Sequence, residues 1–178
     1  MNTVYYAGIG SRKTPHHVLE TMNILAQLFA KHGMVLRSGA AVGADQAFEQ
    51  GCDAVGGQKE IFIPWQGFCN RQPTESGVYW CRNPRAAQIA ELIHPNWKAC
   101  SSQAQAFHQR NTHQIMGIDL SLNVKFVVCW APVINGAPDG GTAQAIRLAK
   151  RLGIPVINMW YPTWQTELST VLKEVLGV

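Results

Sequence analysis

Three glycine-containing turns recur along the chain: Gly8-Ile9-Gly10-Ser11-Arg12, Ser38-Gly39-Ala40-Ala41-Val42-Gly43-Ala44-Asp45 and Asp139-Gly140-Gly141-Thr142. Each follows a run with strand character and leads into a segment with apolar residues at helical spacing. Strand-turn-helix units repeated in this way predict an α/β fold with a mostly parallel sheet, which gathers its strand-to-helix loops at one edge, where ligands bind. Glycine lets a backbone approach an anion closely, and a helix that starts there offers unpaired N–H groups and the positive end of its dipole. The three turns therefore predict one phosphate-binding rim.

The rest of the pattern fits this frame. Residues 4–7 read as a first strand, and Thr14-Pro15 supplies an N-cap followed by proline at the first helical position. Val18, Met22, Leu25 and Phe29 then recur at helical spacing, up to the stop at Lys31-His32-Gly33. Strands are expected at 34–37 and 59–63, with a helix at about 45–52 between them. Pro64 ends the third strand, because proline lacks the ladder N–H. Residues 64–83 are irregular in text, with scattered aromatics, and the whole stretch 64–100 reads as an insertion-like segment. Helices follow at 84–93 and 101–116. Residues 124–130 are nearly continuous in apolar and β-branched residues, as in a strand covered on both faces. A turn-rich loop at 132–141, a helix opening at Thr142, a fifth strand at 154–158 and a closing helix at 166–176 complete the pattern.

With 178 residues, 47% hydrophobic and 15% charged, the chain suits a single domain, residues 1–178, able to bury its own core. No apolar run approaches the ~20 residues that span a bilayer, and Met1-Asn2-Thr3 leads straight into the first strand without a signal peptide. A cytoplasmic protein with no membrane partner is expected. The five cysteines show no C-x-x-C spacing and read as free thiols, with Cys129 an inert core thiol. The net charge of +4 is too modest for a dedicated nucleic-acid binder, but Arg12, Lys13, Arg37, Arg71, Arg82, Arg85 and Arg110 fall in or near the turns and the central segment. That placement favours an anionic ligand.

The first turn is G-x-G-S-R rather than G-x-G-x-x-G, and Arg37 stands where a dinucleotide fold carries its ribose-binding acid. Neither NAD nor any other resident cofactor is expected, and no P-loop run is present. Ser11 and Thr142 each offer a hydroxyl to a phosphate, and Arg12 adds a charge-assisted contact. Asp45, at the start of a helix, is placed either to cap N–H groups or to act as ribose acceptor or general acid/base. Arg110 and Asn111 lie about 100° apart on a helical wheel, so only a wide cleft engages both. His108 and His113 do not share an i, i+4 face and no H-E-x-x-H occurs, so no metal site is expected. Trp65 and Trp130 are candidates to stack a base, with core packing the stronger reading.

Taken together, Gly8 to Arg12, the Ser38 to Asp45 run, and Gly140-Gly141-Thr142 with Ala145 and Gly153-Ile154-Pro155-Val156 resemble the SLOG superfamily of Smf/DprA and LOG proteins, over about residues 4–63 and 108–158. The S-G-x-A-x-G-A-D run is the most specific part. The resemblance implies a Rossmann-like three-layer sheet and a nucleotide, a nucleotide derivative or single-stranded DNA held at the loop edge. Ser38, Gly39, Gly43 and Asp45 match the second motif of the family, and Gly140, Gly141 and Thr142 the last. Arg110-Asn111 is similar to an Arg-Asn pair of DprA-like members. Homodimerisation is implied by the resemblance alone. Two departures matter. LOG-type phosphoribohydrolases carry P-G-G-x-G-T-x-x-E, and the position of that catalytic glutamate is Ala145 here. DprA proteins also use segments beyond this core for their recombination role. The expectation is thus a binder of a nucleotide-like phosphate ligand. The alternatives are an N-glycoside hydrolase with Asp45 as acid/base and a DprA-like binder of single-stranded DNA.

Overall fold

The computed structural model describes residues 3–177, so the reading of Met1 and Asn2 as a start without a signal peptide lies outside the described residues. The chain runs β1 (Tyr5–Gly10), α1 (His16–Lys31), β2 (Val35–Ser38), α2 (Ala44–Ala54), β3 (Lys59–Ile63), β4 (Val78–Trp80), α3 (Pro84–Ile93) and α4 (Ser102–Met116). It continues through β5 (Phe126–Trp130), β6 (Val133–Ile134), β7 (Ala137–Pro138), α5 (Thr142–Arg151), β8 (Val156–Asn158) and α6 (Trp164–Leu176). Six strands form one parallel sheet in the order β4-β3-β2-β1-β5-β8.

Alternation along β1 divides the core. Tyr6 packs with Met22, Phe29, Phe48 and Phe126 on the face covered by α1, α2 and α6, while Ala7 and Ile9 pack with Ile115, Ala145 and Ile146 on the face covered by α4 and α5. This is the three-layer, Rossmann-like arrangement expected. After β1 the chain winds outward through β2, β3 and β4, then returns to place β5 on the other side of β1. The carboxyl ends of β1 and β5 therefore flank the topological switch point of the sheet, the usual ligand crevice of such folds.

Several expectations need correction. β1 does not end at Ala7: it pairs with β5 from Tyr6↔Phe126 to Gly10↔Trp130, so its two glycines lie inside the strand. Thr14 does not cap α1. Its hydroxyl donates to the Ser11 carbonyl at 2.6 Å, and Pro15 occupies the N-cap position without a side-chain bond. Residues 64–100 are not an insertion on the domain. Val78-Tyr79-Trp80 adds the sixth strand to the edge of the sheet beside β3, and α3 packs on the α4/α5 layer through Ile89 and Ile93. A strand of three residues between Gly77 and Cys81, with only Val78 fully buried, carries too little periodicity to be legible. The preceding loop is pinned by charge: Lys59 pairs with Glu49 at 2.8 Å, and Arg71 bridges Glu49 and Glu75, the latter at 2.9 Å. The 132–141 loop holds a small hairpin of β6 and β7 turned by Asn135-Gly136, both at positive φ.

Candidate functional site

A cavity of about 540 Å³ opens at the switch point. The first turn contributes Gly10, Ser11 and Arg12 with Lys13, the start of α2 contributes Asp45, α4 contributes Phe107, His108, Arg110 and Asn111, and the start of α5 contributes Gly140, Gly141, Thr142 and Ala145. The turn residues predicted from sequence thus converge here in large part. Ser11 is placed by its N–H, which donates to the Trp130 carbonyl at 3.0 Å and ties the first turn to the end of β5. Thr142 opens α5, whose first turn carries no acidic residue and no side-chain cap, and the cavity lies against this helix start.

Four predicted residues do other work. Gly8 sits inside β1, where an added Cβ would lie 2.5 Å from Phe48 Cγ, so its glycine is required by the packing of α2 on β1. Ser38 is fully buried and its hydroxyl donates to the Gly8 carbonyl at 2.6 Å, clamping β2 to β1. Gly39 gives up its side-chain space to the Arg110 guanidinium. Gly43 stands at φ +98°, a conformation open to glycine, and its α-carbon packs against the Arg12 backbone, where a Cβ would come within 3.0 Å of Arg12 Cα. Gly8, Ser38, Gly39 and Gly43 build the site from behind and do not line it.

Arg110 and Asn111 are both buried, and although about 100° apart on the helix their side chains touch each other while reaching different turns. The Arg110 guanidinium donates to the Gly39 carbonyl and to Asn111 Oδ1 at 3.1 Å, and lies 3.6 Å from the Asp45 carboxylate. Asn111 donates to the Gly141 carbonyl at 2.9 Å. The pair therefore fastens the second and third turns to one helix. Burial pushes the Asp45 carboxyl up to about 6, against the Arg110 charge and the Ala41 and Gly10 amides, which pull it down. Burial likewise lowers Arg110, which stays cationic because a guanidinium releases its proton only far above neutral pH. Asp45 is the one carboxylate among the described lining residues, facing Arg12, Lys13 and Arg110. The cavity is thus net positive. Ala145, at the position of the LOG-type glutamate, is an apolar, buried piece of its wall.

The aromatic surface comes from an unexpected place. Trp130 is buried in the core on the α1 side and Trp65 packs against Phe68 and Phe107, so neither tryptophan lines the cavity. Phe107 does, with the Arg12 and Arg110 guanidinium carbons 5.8 and 5.6 Å from its ring centre. Its place one turn before Asn111 on α4 was the only signal in the sequence. The other arginines disperse. Arg37 is bound to Glu60 at 2.6 Å and stacks 4.2 Å over Tyr5, Arg71 belongs to the loop network, and Arg82 stacks 4.4 Å over Trp80. His113 is a core residue, its ring stacked on Phe62 and bonded to the Gly117 carbonyl at 3.0 Å. The five cysteines are unpaired, and burial pushes the Cys129 thiol up to about 12. His94, Cys100 and His108, carried by the end of α3, the loop after it and α4, come together at one end of the cavity with ligand atoms within 4.8 Å of one another. No helix among the described residues is long and apolar enough to cross a membrane.

Solved structures that share this fold include a cofactor carrier protein and a DNA-processing protein. The molybdenum cofactor carrier protein of Chlamydomonas reinhardtii superimposes with a TM-score of 0.56 at 16% identity, covering 99% of this chain and 87% of the carrier. DprA from Streptococcus pneumoniae superimposes with a TM-score of 0.53 at 14% identity over 97% of this chain, which spans 56% of that protein's length. No curated protein matches the sequence. The family model of DNA recombination-mediator protein A matches residues 1–171, nearly the whole chain, and the chain belongs to that family.

Proposed function

We propose that the cavity holds a nucleotide or a nucleotide-derived phosphate ligand. The observation that carries this reading is the convergence, on one net-positive cavity, of the Ser11-Arg12 turn, the Arg110 guanidinium and the uncapped start of α5. The phosphate lies between Ser11, Arg12 and the Gly141-Thr142 amides, the sugar lies near Asp45, and the base lies against Phe107. The volume suits a ligand of this size. Holding is favoured over cutting because Ala145 offers no proton to a leaving base. Asp45 is the acid/base candidate for an N-glycoside hydrolase, and its carboxyl near 6 is suited to proton transfer at neutral pH. The likeness in fold to a cofactor carrier protein accords with a holder.

Thermal unfolding of the protein with a panel of nucleoside mono-, di- and triphosphates tests the proposal. At least one raises the melting temperature, and Arg12→Ala weakens its binding at least tenfold, the equivalent of about 1.4 kcal/mol from one lost charge-assisted contact. Chromatography of the same mixtures for free base separates a hydrolase from a holder. Membership of the DNA recombination-mediator family supports a second reading, single-stranded DNA laid across the same rim with Arg12 and Lys13 on its backbone. Salt discriminates the two. Affinity for an oligonucleotide collapses steeply between about 50 and 200 mM salt, whereas a small nucleotide with two or three ionic contacts loses far less.

A further inference from the structure

We propose that His94, Cys100 and His108 form a three-ligand site for a thiophilic divalent metal of the zinc class at the wall of the cavity. The chain brings them together by three separate devices. His94 caps the end of α3 in extended conformation ahead of Pro95, Cys100 follows the single 3-10 turn Trp97–Ala99, and His108 lies in α4. The Cys100 sulfur is 3.7 Å from both His94 ring nitrogens, and the His94 and His108 rings are 4.5 Å apart at their centres. Zinc–nitrogen bonds of about 2.0–2.1 Å and a zinc–sulfur bond of about 2.3 Å set tetrahedral ligand atoms about 3.3–3.6 Å apart. The His94–Cys100 edge, at 3.7 Å, lies just outside that spacing. The remaining edges, within 4.8 Å, close by a modest rotation of the rings.

The hydrogen bonding of the donors agrees. His94 Nδ1 accepts the Asn96 N–H at 3.1 Å, and it is the lone pair on that nitrogen that a metal takes in exchange for the amide. His108 Nδ1 is shielded from solvent and has no hydrogen-bond partner among the described residues. A buried ring nitrogen without a partner is costly, and a metal bond at this ring removes the need for one. Two nitrogens and one thiolate select zinc, cobalt or copper over magnesium and calcium, which require oxygen ligands. Three protein ligands leave a fourth position, and because His94 and His108 both line the cavity, that position is reached from the cavity side. A small anion or the heteroatom of a bound ligand completes it.

The site stands apart from the phosphate reading and is tested with metal alone. Co²⁺ titrated into the protein, freed of metal by chelator, is expected to bind at one equivalent with the visible bands of a tetrahedral ion and a near-ultraviolet thiolate-to-cobalt band. Cys100→Ser abolishes the thiolate band, His94→Ala and His108→Ala each raise the apparent Kd for Zn²⁺ at least about tenfold, and Cys69→Ser changes neither. Trp97, whose ring centre lies 6.2 and 6.3 Å from those of His94 and His108, gives a second readout: Cu²⁺ quenches its emission, and Trp97→Phe removes the quench. Absence of stoichiometric Co²⁺ binding overturns the proposal, as does a thiolate band that survives Cys100→Ser. If Cys100→Ser does not fold, unchanged Zn²⁺ affinity in the two histidine variants overturns it equally.

Discussion

Asp45 is the residue on which the electrostatics of the cavity turn. Its carboxyl is pushed from an ordinary 3.8 to about 6, chiefly by burial. The folded protein therefore retains a proton between about pH 4 and pH 6 that the unfolded chain has released. This contribution to stability is fully present below about pH 4 and is lost as the pH rises through 6, a decline of about 2–3 kcal/mol. Denaturant midpoints at pH 4.5, 6 and 7.5 should show that decline in the wild type relative to Asp45→Asn, in which the group cannot ionise. The same ionisation places a negative charge at the ligand, so phosphate binding should weaken above pH 6 in the wild type and not in the variant. Equal pH slopes in the two proteins would falsify this account of Asp45. At this scale the sequence was partly legible. Asp45, Arg110 and Asn111 stood out because polar groups follow glycine turns or sit together on an otherwise amphipathic helix. Phe107 and the His94-Cys100-His108 group did not, because the spacing of 94, 100 and 108 matches no local ligand motif and the side chains meet only where the end of α3, the Trp97–Ala99 turn and α4 come together.

Glycines in the turns look alike as letters, but β1 and α5 use them for different ends. An alanine at Gly8 presses its Cβ into Phe48 and Leu36, at 2.5 and 2.9 Å from their nearest atoms. Gly141 has helical φ −62° and ψ −30°, and a Cβ there meets nothing within 4 Å. Gly8→Ala should cost about 1–3 kcal/mol of stability by overpacking and leave ligand affinity of the folded protein intact. Gly141→Ala should hold or slightly raise stability while its methyl group, placed where the phosphate approaches, weakens binding several-fold. Thermal unfolding and nucleotide titration of the two variants separate packing from recognition, and the reverse pattern would contradict the assignment. Most elements were legible because their signals are local: β5 by its continuous apolar run, and α1 by Val18, Met22, Leu25 and Phe29 at helical spacing up to the stop at Lys31-His32-Gly33. β4 was not, since a three-residue edge strand is made by pairing with β3 and not by its own pattern.

For the whole molecule, the strand order matters more than any single loop. Because β5 returns beside β1, the first and third turns, separated by about 130 residues of sequence, become neighbours across one crevice, and the Arg110-Asn111 pair of α4 joins the second turn to the third. The parallel sheet and its loop edge could be anticipated from the repeated strand-turn-helix pattern; which turns face each other could not, since order in a sheet is a property of the crossovers. It follows that a phosphate ligand should be felt by the first and third turns together. The direct measurement is the backbone amide spectrum of the protein titrated with the nucleotide that most raises its melting temperature. Coincident shifts of the Ser11, Arg12, Gly141 and Thr142 amides, saturating with a single dissociation constant, are the predicted result. Shifts confined to other surfaces, or nucleotide binding that leaves those amides unmoved, would contradict the claim that the switch-point cavity is the binding site.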